Sequence, residues 1–173
     1  MQEHQETDLK KIVEDTKTHI KSISLMHEKI YQSKTLADIQ LKDYLDSIVE
    51  SLFDIYSSEI KYISHIDDIT LNAHQAGTLG LIINELINNT VKYAFPDNNP
   101  GQVEIKLSRL DKIIEVEYRD SGVGIPESID FNNPKSLGLT VVQNLTKQID
   151  GKIGYTYENG TCIKLVFNEK EYL

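Results

Sequence analysis

The sequence predicts an α+β fold: a two-layer α/β sandwich in which a mixed sheet carries helices on one face, preceded by amphipathic helices. Two observations lead there. Strand-type alternation is concentrated in pairs of segments joined by short turns, and the helical patterns stand apart from them rather than alternating with each strand.

Leu9, Ile12, Val13, Ile20, Ile23, Met26 and Ile30 recur at three- and four-residue steps, which predicts a long amphipathic helix over residues 1 to about 33. Its apolar stripe is narrow, so it needs the globular domain or a second copy of itself to cover it. Ser33, Lys34 and Thr35 break the pattern, and a second helix runs from about Leu41 to Ser57 through Tyr44, Leu45, Ile48, Val49, Leu52 and Phe53. The character changes at Lys61. Tyr62 to Ile66 alternates, Ile69 to Leu71 follows, and a central helix begins near His74. Pro96 to Gly101 is a loop. Gln102 to Leu110 and Lys112 to Arg119 form a hairpin turning at Asp111. Leu137 to Ile149 is a helix stopped near Gly151, and Ile153 to Tyr157 and Thr161 to Phe167 are strands around Glu158, Asn159 and Gly160. The expected division is a helical segment over 1–58 and a globular domain over 59–173.

Composition narrows the function. With 173 residues and a net charge of −9, and with no basic cluster, the chain is not built to neutralise a phosphate backbone, so no nucleic acid is expected as partner. The five histidines show no metal-ligand spacing, and the single cysteine, Cys162, is expected in a strand and the core. No run of about 18 apolar residues predicts a membrane segment. A cytoplasmic setting is the expectation.

The central helix is unusual in its polar residues. At about 100° per residue, Ile83, Leu86, Ile87, Val91 and Ala94 share one side, and Asn84, Glu85, Asn88, Asn89 and Lys92 share the other. A solvated face would have the same outline. Such faces are normally Glu, Lys, Gln or Arg, however, and each mid-helix Asn costs roughly 0.6 kcal/mol relative to Ala. Glu85, Asn89 and Lys92 stand one above another, a carboxylate, an amide oxygen and an ammonium able to orient water, ligate a hard cation and meet a phosphate. The second unusual stretch is Asp120 to Gly124, where a strand ends in D-x-G-x-G. Glycines let a backbone turn tightly and approach a flat ligand, although a surface turn would have the same spacing. It is not the dinucleotide fingerprint, because Pro126 follows and no helix opens directly.

Together, E-x-x-x-N at Glu85 and Asn89, D-x-G-x-G at Asp120, Gly122 and Gly124, S-L-G-L over Ser136 to Leu139, and G-T at Gly160 and Thr161 resemble the GHKL ATPase superfamily. The stretch Ile20 to Ser33, with Gly80 to Pro96 and Ser136 to Val142, is similar to sensor histidine kinases whose dimerisation helices carry H-R-x-K-N-N. That motif is missing here. The resemblance therefore implies a chain that starts after the first dimerisation helix, with the phosphoacceptor His outside it; His27 falls on the second helix and is disfavoured as acceptor.

What the resemblance implies for the site is specific. ATP and Mg²⁺ are the expected cofactors, with Asn89 holding the cation and Glu85 orienting water or acting as base. Asn88 and Lys92 are expected to meet phosphates, Asp120 to accept from the adenine amino group, and Gly122 and Gly124 to let the backbone approach the base. Residues 126–136 would form a lid hinged at Gly124 and Gly138, with Thr161 behind Asp120. The implied activity is transfer of the ATP γ-phosphate to a His and onward to an Asp of a response-regulator receiver domain. The implied partners are that domain, a phosphoacceptor helix and a second copy of the chain. The alternative is a non-catalytic GHKL-fold nucleotide-binding interaction module.

Overall fold

The computed structural model describes residues 39–56, 59–96 and 101–170, with isolated helical positions at 17, 20, 24 and 28. The expected first helix, and His27 within it, fall largely outside the described residues.

The elements run in order as β1 (Ile39–Gln40), α1 (Leu41–Ile55), β2 (Lys61–Ile66), β3 (Thr70–Leu71), α2 (Ala73–Asn89), a π-helical turn (Thr90–Ala94), β4 (Gln102–Leu110), β5 (Ile113–Asp120), α3 (Leu137–Gln148), β6 (Lys152–Tyr157) and β7 (Thr161–Asn168). Five strands form one sheet in the order β2-β4-β5-β7-β6. β2 lies parallel to β4, and the other pairs are antiparallel. The sheet is therefore mixed, as the sequence predicts. β1 and β3 form a separate two-stranded ribbon.

One face of the sheet carries the helices. Val103, Ile105 and Leu107 of β4, Ile114, Val116 and Tyr118 of β5, and Ile163, Leu165 and Phe167 of β7 are buried at alternate positions, the period of a strand with one covered face. The opposite face is a lattice of ion pairs. Glu117 lies between Arg119 (2.6 Å), Lys164 (3.3 Å) and Lys106 (3.8 Å), and Arg119 also reaches Glu158 at 2.7 Å. The hydrogen bond from Arg119, followed by opposing burial and the bond from Lys164, leaves the Glu117 carboxyl below its usual range. Cys162 is buried in β7.

Helix α1 shares the core of the sheet. Leu41, Leu45, Ile48, Val49 and Leu52 are fully buried with Leu79, Ile83 and Ile87 of α2, each such side chain adding about 1.5–3 kcal/mol. Two hydrogen bonds secure it. Gln40 caps its first turn by accepting from Lys42 N at 2.8 Å, and Tyr62 of β2 donates to Asp46 at 2.7 Å. Tyr44 lies over Gly80 of α2, where any Cβ would overlap the Tyr44 ring and hydroxyl.

Asn72 starts α2 by accepting from Gln75 N at 2.9 Å, an ordinary N-cap. The same amide donates to Lys170 O, and Gln75 donates to Asn168 O, so the start of α2 is sewn to the end of β7. The helix does not run regularly to Phe95 as its periodicity suggests. It widens into the π turn at Thr90, an irregularity often found at functional sites. The β4–β5 turn falls at Asp111, which takes φ 56°. The stop of α3 differs in detail from expectation: Asp150 is the left-handed residue (φ 54°), and Gly151 N bonds Thr146 O at 2.9 Å.

Candidate nucleotide site

A cavity of about 520 Å³ opens between α2 with its π turn, the loop after β5, the first turn of α3 and the start of β7. Glu85, Asn88, Asn89, Lys92, Asp120, Gly124, Gly138 and Thr161 all line it, brought together from four parts of the chain. Gly122 is not on its wall. A Cβ there would stand 2.5 Å from the carbonyl oxygen of Ala94, so the missing side chain lets the loop pack on the π turn.

Three of the five residues on the polar side of α2 and its π turn are buried, which is not what a solvated face would show, while Asn89 is half-buried and Lys92 exposed. Asn84, Glu85 and Asn88 are 0%, 5% and 4% exposed. Asn84 does not reach the cavity; it donates to Glu85 Oε1 at 3.2 Å. Asn88 accepts from the Tyr56 hydroxyl at 2.5 Å. Among the described residues, Asn84 Oδ1 and Asn88 Nδ2 are buried with no hydrogen-bond partner. Buried polar groups are nearly always satisfied, so the orphan Nδ2 of Asn88, which borders the cavity, points to a group that a ligand or water completes.

Asp120, 6% exposed, is held from three sides. Its Oδ1 accepts from Gly122 N at 3.0 Å and Thr161 N at 3.2 Å, and its Oδ2 accepts from the Thr90 hydroxyl at 2.8 Å. Thr90 has one hydroxyl hydrogen, spent on Asp120, so the 2.7 Å contact between Thr90 and Tyr118 must have Tyr118 as donor. Burial pushes the Tyr118 hydroxyl well above its ordinary range and keeps it protonated for that task. An ionised carboxylate accepts at about four positions, so with three filled it still has room for one donor from the cavity. Gly160 (φ 138°) makes the arrangement possible, because a Cβ there would overlap the Asp120 carbonyl oxygen.

At the other side of the cavity, the first turn of α3 faces Glu85 and Asn89. A Cβ on Gly138 would stand 3.2 Å from Glu85 Oε2 and 3.6 Å from Asn89 Oδ1, so a glycine leaves space there. Ser136 precedes this turn without capping it by its side chain, and Ser136, Leu137 and Gly138 line the cavity. An uncapped helix start offers N–H groups and a positive dipole end to an anion.

Residues 126–136, expected as a lid, are anchored at their middle. Phe131 in its middle is buried against the Tyr155 ring (centroids 5.7 Å apart), and its carbonyl accepts from Gln143 at 2.8 Å. Tyr155 also accepts from Ile125 N at 3.0 Å. Asp130 receives Asn132 N, Asn133 N and the Asn133 side chain; that side-chain bond, followed by the two backbone bonds, lowers its carboxyl from the ordinary range.

Sequence reasoning missed Thr90, Tyr118 and Tyr56. Thr90 directly follows Asn89 on the motif helix and is a hydroxyl where the polar stripe predicts none. Tyr118 and Tyr56 left no comparable signal.

This geometry has relatives. The model of the family described as histidine kinase-, DNA gyrase B- and HSP90-like ATPase matches residues 74–171, and a histidine kinase family model matches residues 1–56. The sensor histidine kinase PdtaS of Mycobacterium tuberculosis is 29% identical over 152 residues, which is 84% of this chain and 30% of that protein. The blue-light-activated histidine kinase 2 of Erythrobacter litoralis is 29% identical over 120 residues, 68% of this chain and 35% of its own. The chain thus spans about a third of the length of these relatives. In fold it is similar to the solved histidine kinase domain of the Erythrobacter litoralis EL346 blue-light-activated kinase, with a TM-score of 0.77 at 24% identity over 90% of this chain and 75% of that one. With the match to the ATPase family covering more than half of its length, the chain belongs to the histidine kinase-, DNA gyrase B- and HSP90-like ATPases, the GHKL superfamily, on the sensor histidine kinase branch.

Proposed function

We propose that residues 59–173 are the catalytic ATP-binding domain of a sensor histidine kinase and that residues 1–58 are a dimerisation-type helical segment whose last helix, α1, docks on that domain. The observation that carries the reading is the pairing of two ends in one cavity. A carboxylate fixed by backbone N–H groups, Asp120, has one acceptor position left for a base, and Glu85, Asn89 and the uncapped start of α3 offer a cation and anion site opposite.

The residues fit ATP with Mg²⁺. Among the described residues no three of His, Cys, Asp or Glu stand together. A cation held by one or two protein oxygens, and otherwise by phosphates and water, matches what Mg²⁺ prefers. Asn89 would hold it through Oδ1, and Mg²⁺ would supply charge neutralisation at the triphosphate. Glu85, one turn earlier, orients the attacking group or takes its proton. Lys92 and Asn88 contact phosphates, Asp120 accepts from the adenine amino group, Gly124 lets the loop approach the base, and Thr161 fixes Asp120 through its N–H. Phosphoryl transfer needs placement and charge stabilisation above all, which such a cavity is built to supply.

The acceptor in this reading is a His outside the described residues, on a phosphoacceptor helix of a partner copy or of the wider protein. The phosphate then passes to an Asp of a response-regulator receiver domain. Among the described residues no helix is long and apolar enough to cross a membrane, and we place the reaction in the cytoplasm.

Calorimetric titration of Mg·ATP into the full chain tests the reading, beside Asn89→Ala and Asp120→Ala. Mg-dependent binding in the parent, lost in both variants, is the expected result. An absence of binding in the parent would instead favour a degenerate interaction module.

A further inference from the structure

We infer that Tyr56 is a positioning residue of the nucleotide site: by donating to Asn88 it fixes an orphan amide donor at the cavity wall, and so ties the carboxyl end of α1 to polyphosphate binding. This rests on the nucleotide reading above and adds to it a residue that lies outside every motif.

Tyr56 is the residue at which α1 ends, and its backbone N–H still bonds back to Leu52 O. Its ring packs partly buried against the core, while its hydroxyl crosses to α2 and meets Asn88 Oδ1 at 2.5 Å. An amide has one oxygen and one NH₂ group, and engaging the oxygen decides which way the side chain faces. With Oδ1 taken by Tyr56, the remaining group is Nδ2, which is buried and, among the described residues, without an acceptor. Asn88 borders the cavity beside Glu85 and Asn89. A buried donor left unmade is costly, and an incoming acceptor removes that cost. In the nucleotide reading the acceptors are the oxygens of the polyphosphate, which are mostly ionised near neutral pH.

Coupling follows from reciprocity. If the seat of the α1 end raises affinity for the polyphosphate, occupancy by the polyphosphate must stabilise that seat by the same factor. The residues matched by the histidine kinase family model end at 56, so the bond lies where the helical segment passes into the ATPase domain.

The test measures binding of Mg·ATP and of adenosine, which lacks phosphates, to the full chain and to Tyr56→Phe, Asn88→Asp, Asn88→Ala and the Tyr56→Phe/Asn88→Ala double variant. Tyr56→Phe keeps the ring and removes the hydroxyl; it is expected to weaken Mg·ATP about 5- to 20-fold and to leave adenosine within about twofold. Asn88→Asp still accepts from Tyr56 but cannot donate, and is expected to lose at least as much ATP affinity with adenosine retained. The double variant should bind ATP no more weakly than Asn88→Ala alone. Retained adenosine binding also reports that each variant is folded. Unchanged ATP affinity in either Tyr56→Phe or Asn88→Asp overturns the inference, as do equal losses for ATP and adenosine or losses that multiply in the double variant. A parent that binds neither ligand overturns the nucleotide reading itself, whereas a parent that binds both and is indifferent to Tyr56 overturns only the positioning role.

Discussion

Thr90 donates to Oδ2 of Asp120 at 2.8 Å while accepting from Tyr118 at 2.7 Å, so one threonine directs a buried chain of hydrogen bonds onto the carboxylate. Thr90→Val keeps the shape and removes the hydroxyl, leaving Tyr118 without its acceptor and Asp120 short of a donor. Stability should fall by about 1–3 kcal/mol. Urea unfolding reads that loss, and a parallel titration should find Mg·ATP bound roughly tenfold more weakly. Equal stability and affinity in Thr90→Val would mean that the chain of hydroxyls is idle.

Gly160 gives the sharpest steric expectation. It combines φ 138° with a position where any Cβ would overlap the Asp120 carbonyl oxygen. Gly160→Ala should therefore separate β7 from the end of β5 and cost about 2 kcal/mol or more, from strain and overpacking together. Thermal unfolding measures it. Gly154, with nothing near its Cβ position, is the control, and Gly154→Ala should be mild.

Tyr44 should be better without its hydroxyl. The group is buried with no hydrogen-bond partner among the described residues, and burial pushes its pKa upward. Removing an unsatisfied buried group is neutral or stabilising, so Tyr44→Phe is expected to change stability by about 0 to +1 kcal/mol. It should also make Gly80→Ala better tolerated, since the Tyr44 hydroxyl lies where the new methyl would go. A loss of stability on Tyr44→Phe would show that the hydroxyl has a partner after all.

Acid dependence follows from Asp46. Burial raises its carboxyl, but the hydrogen bonds from Lys42 and Tyr62 outweigh it and leave the group below its ordinary value of 3.8. A depressed carboxylate contributes stability that is full above the ordinary value and lost as pH falls through the folded one. Asp46→Asn should thus be less stable than the parent at pH 6, by about 1 kcal/mol or less after screening. The gap should close as pH falls below about 4. Urea midpoints at pH 6 and pH 3 decide it, and a gap that persists at pH 3 would remove the carboxylate from the explanation.

The parts of this protein that a reader of the sequence can see are those whose partners lie at a fixed spacing. Glu85, Asn89 and Lys92 repeat at helical intervals, and Asp120 and Gly124 share one loop, so the line-up on a cavity wall follows from local geometry. Hairpins at Asp111 and at Asn159 announce themselves through turn residues that accept positive φ. Tyr56 and Asn88 are 32 positions apart, and Thr90 and Tyr118 are 28. Nothing in spacing selects those pairs, because a hydroxyl finds its partner only once α1, α2 and β5 have packed. Gly122 is instructive for the opposite reason. Its place in D-x-G-x-G predicts close approach to a ligand, and spacing says nothing of Ala94, for which its missing Cβ makes room. A glycine in a motif does not disclose which neighbour it makes way for.

The anchoring of Phe131 has a kinetic side. Held at its centre, the segment divides into two short spans, one from Pro126 to Asp130 and one from Asn132 to Lys135. Loop motions of that length run in nanoseconds to microseconds. Rearranging the whole segment requires Phe131 to leave its seat against Tyr155, whereas either span can move alone.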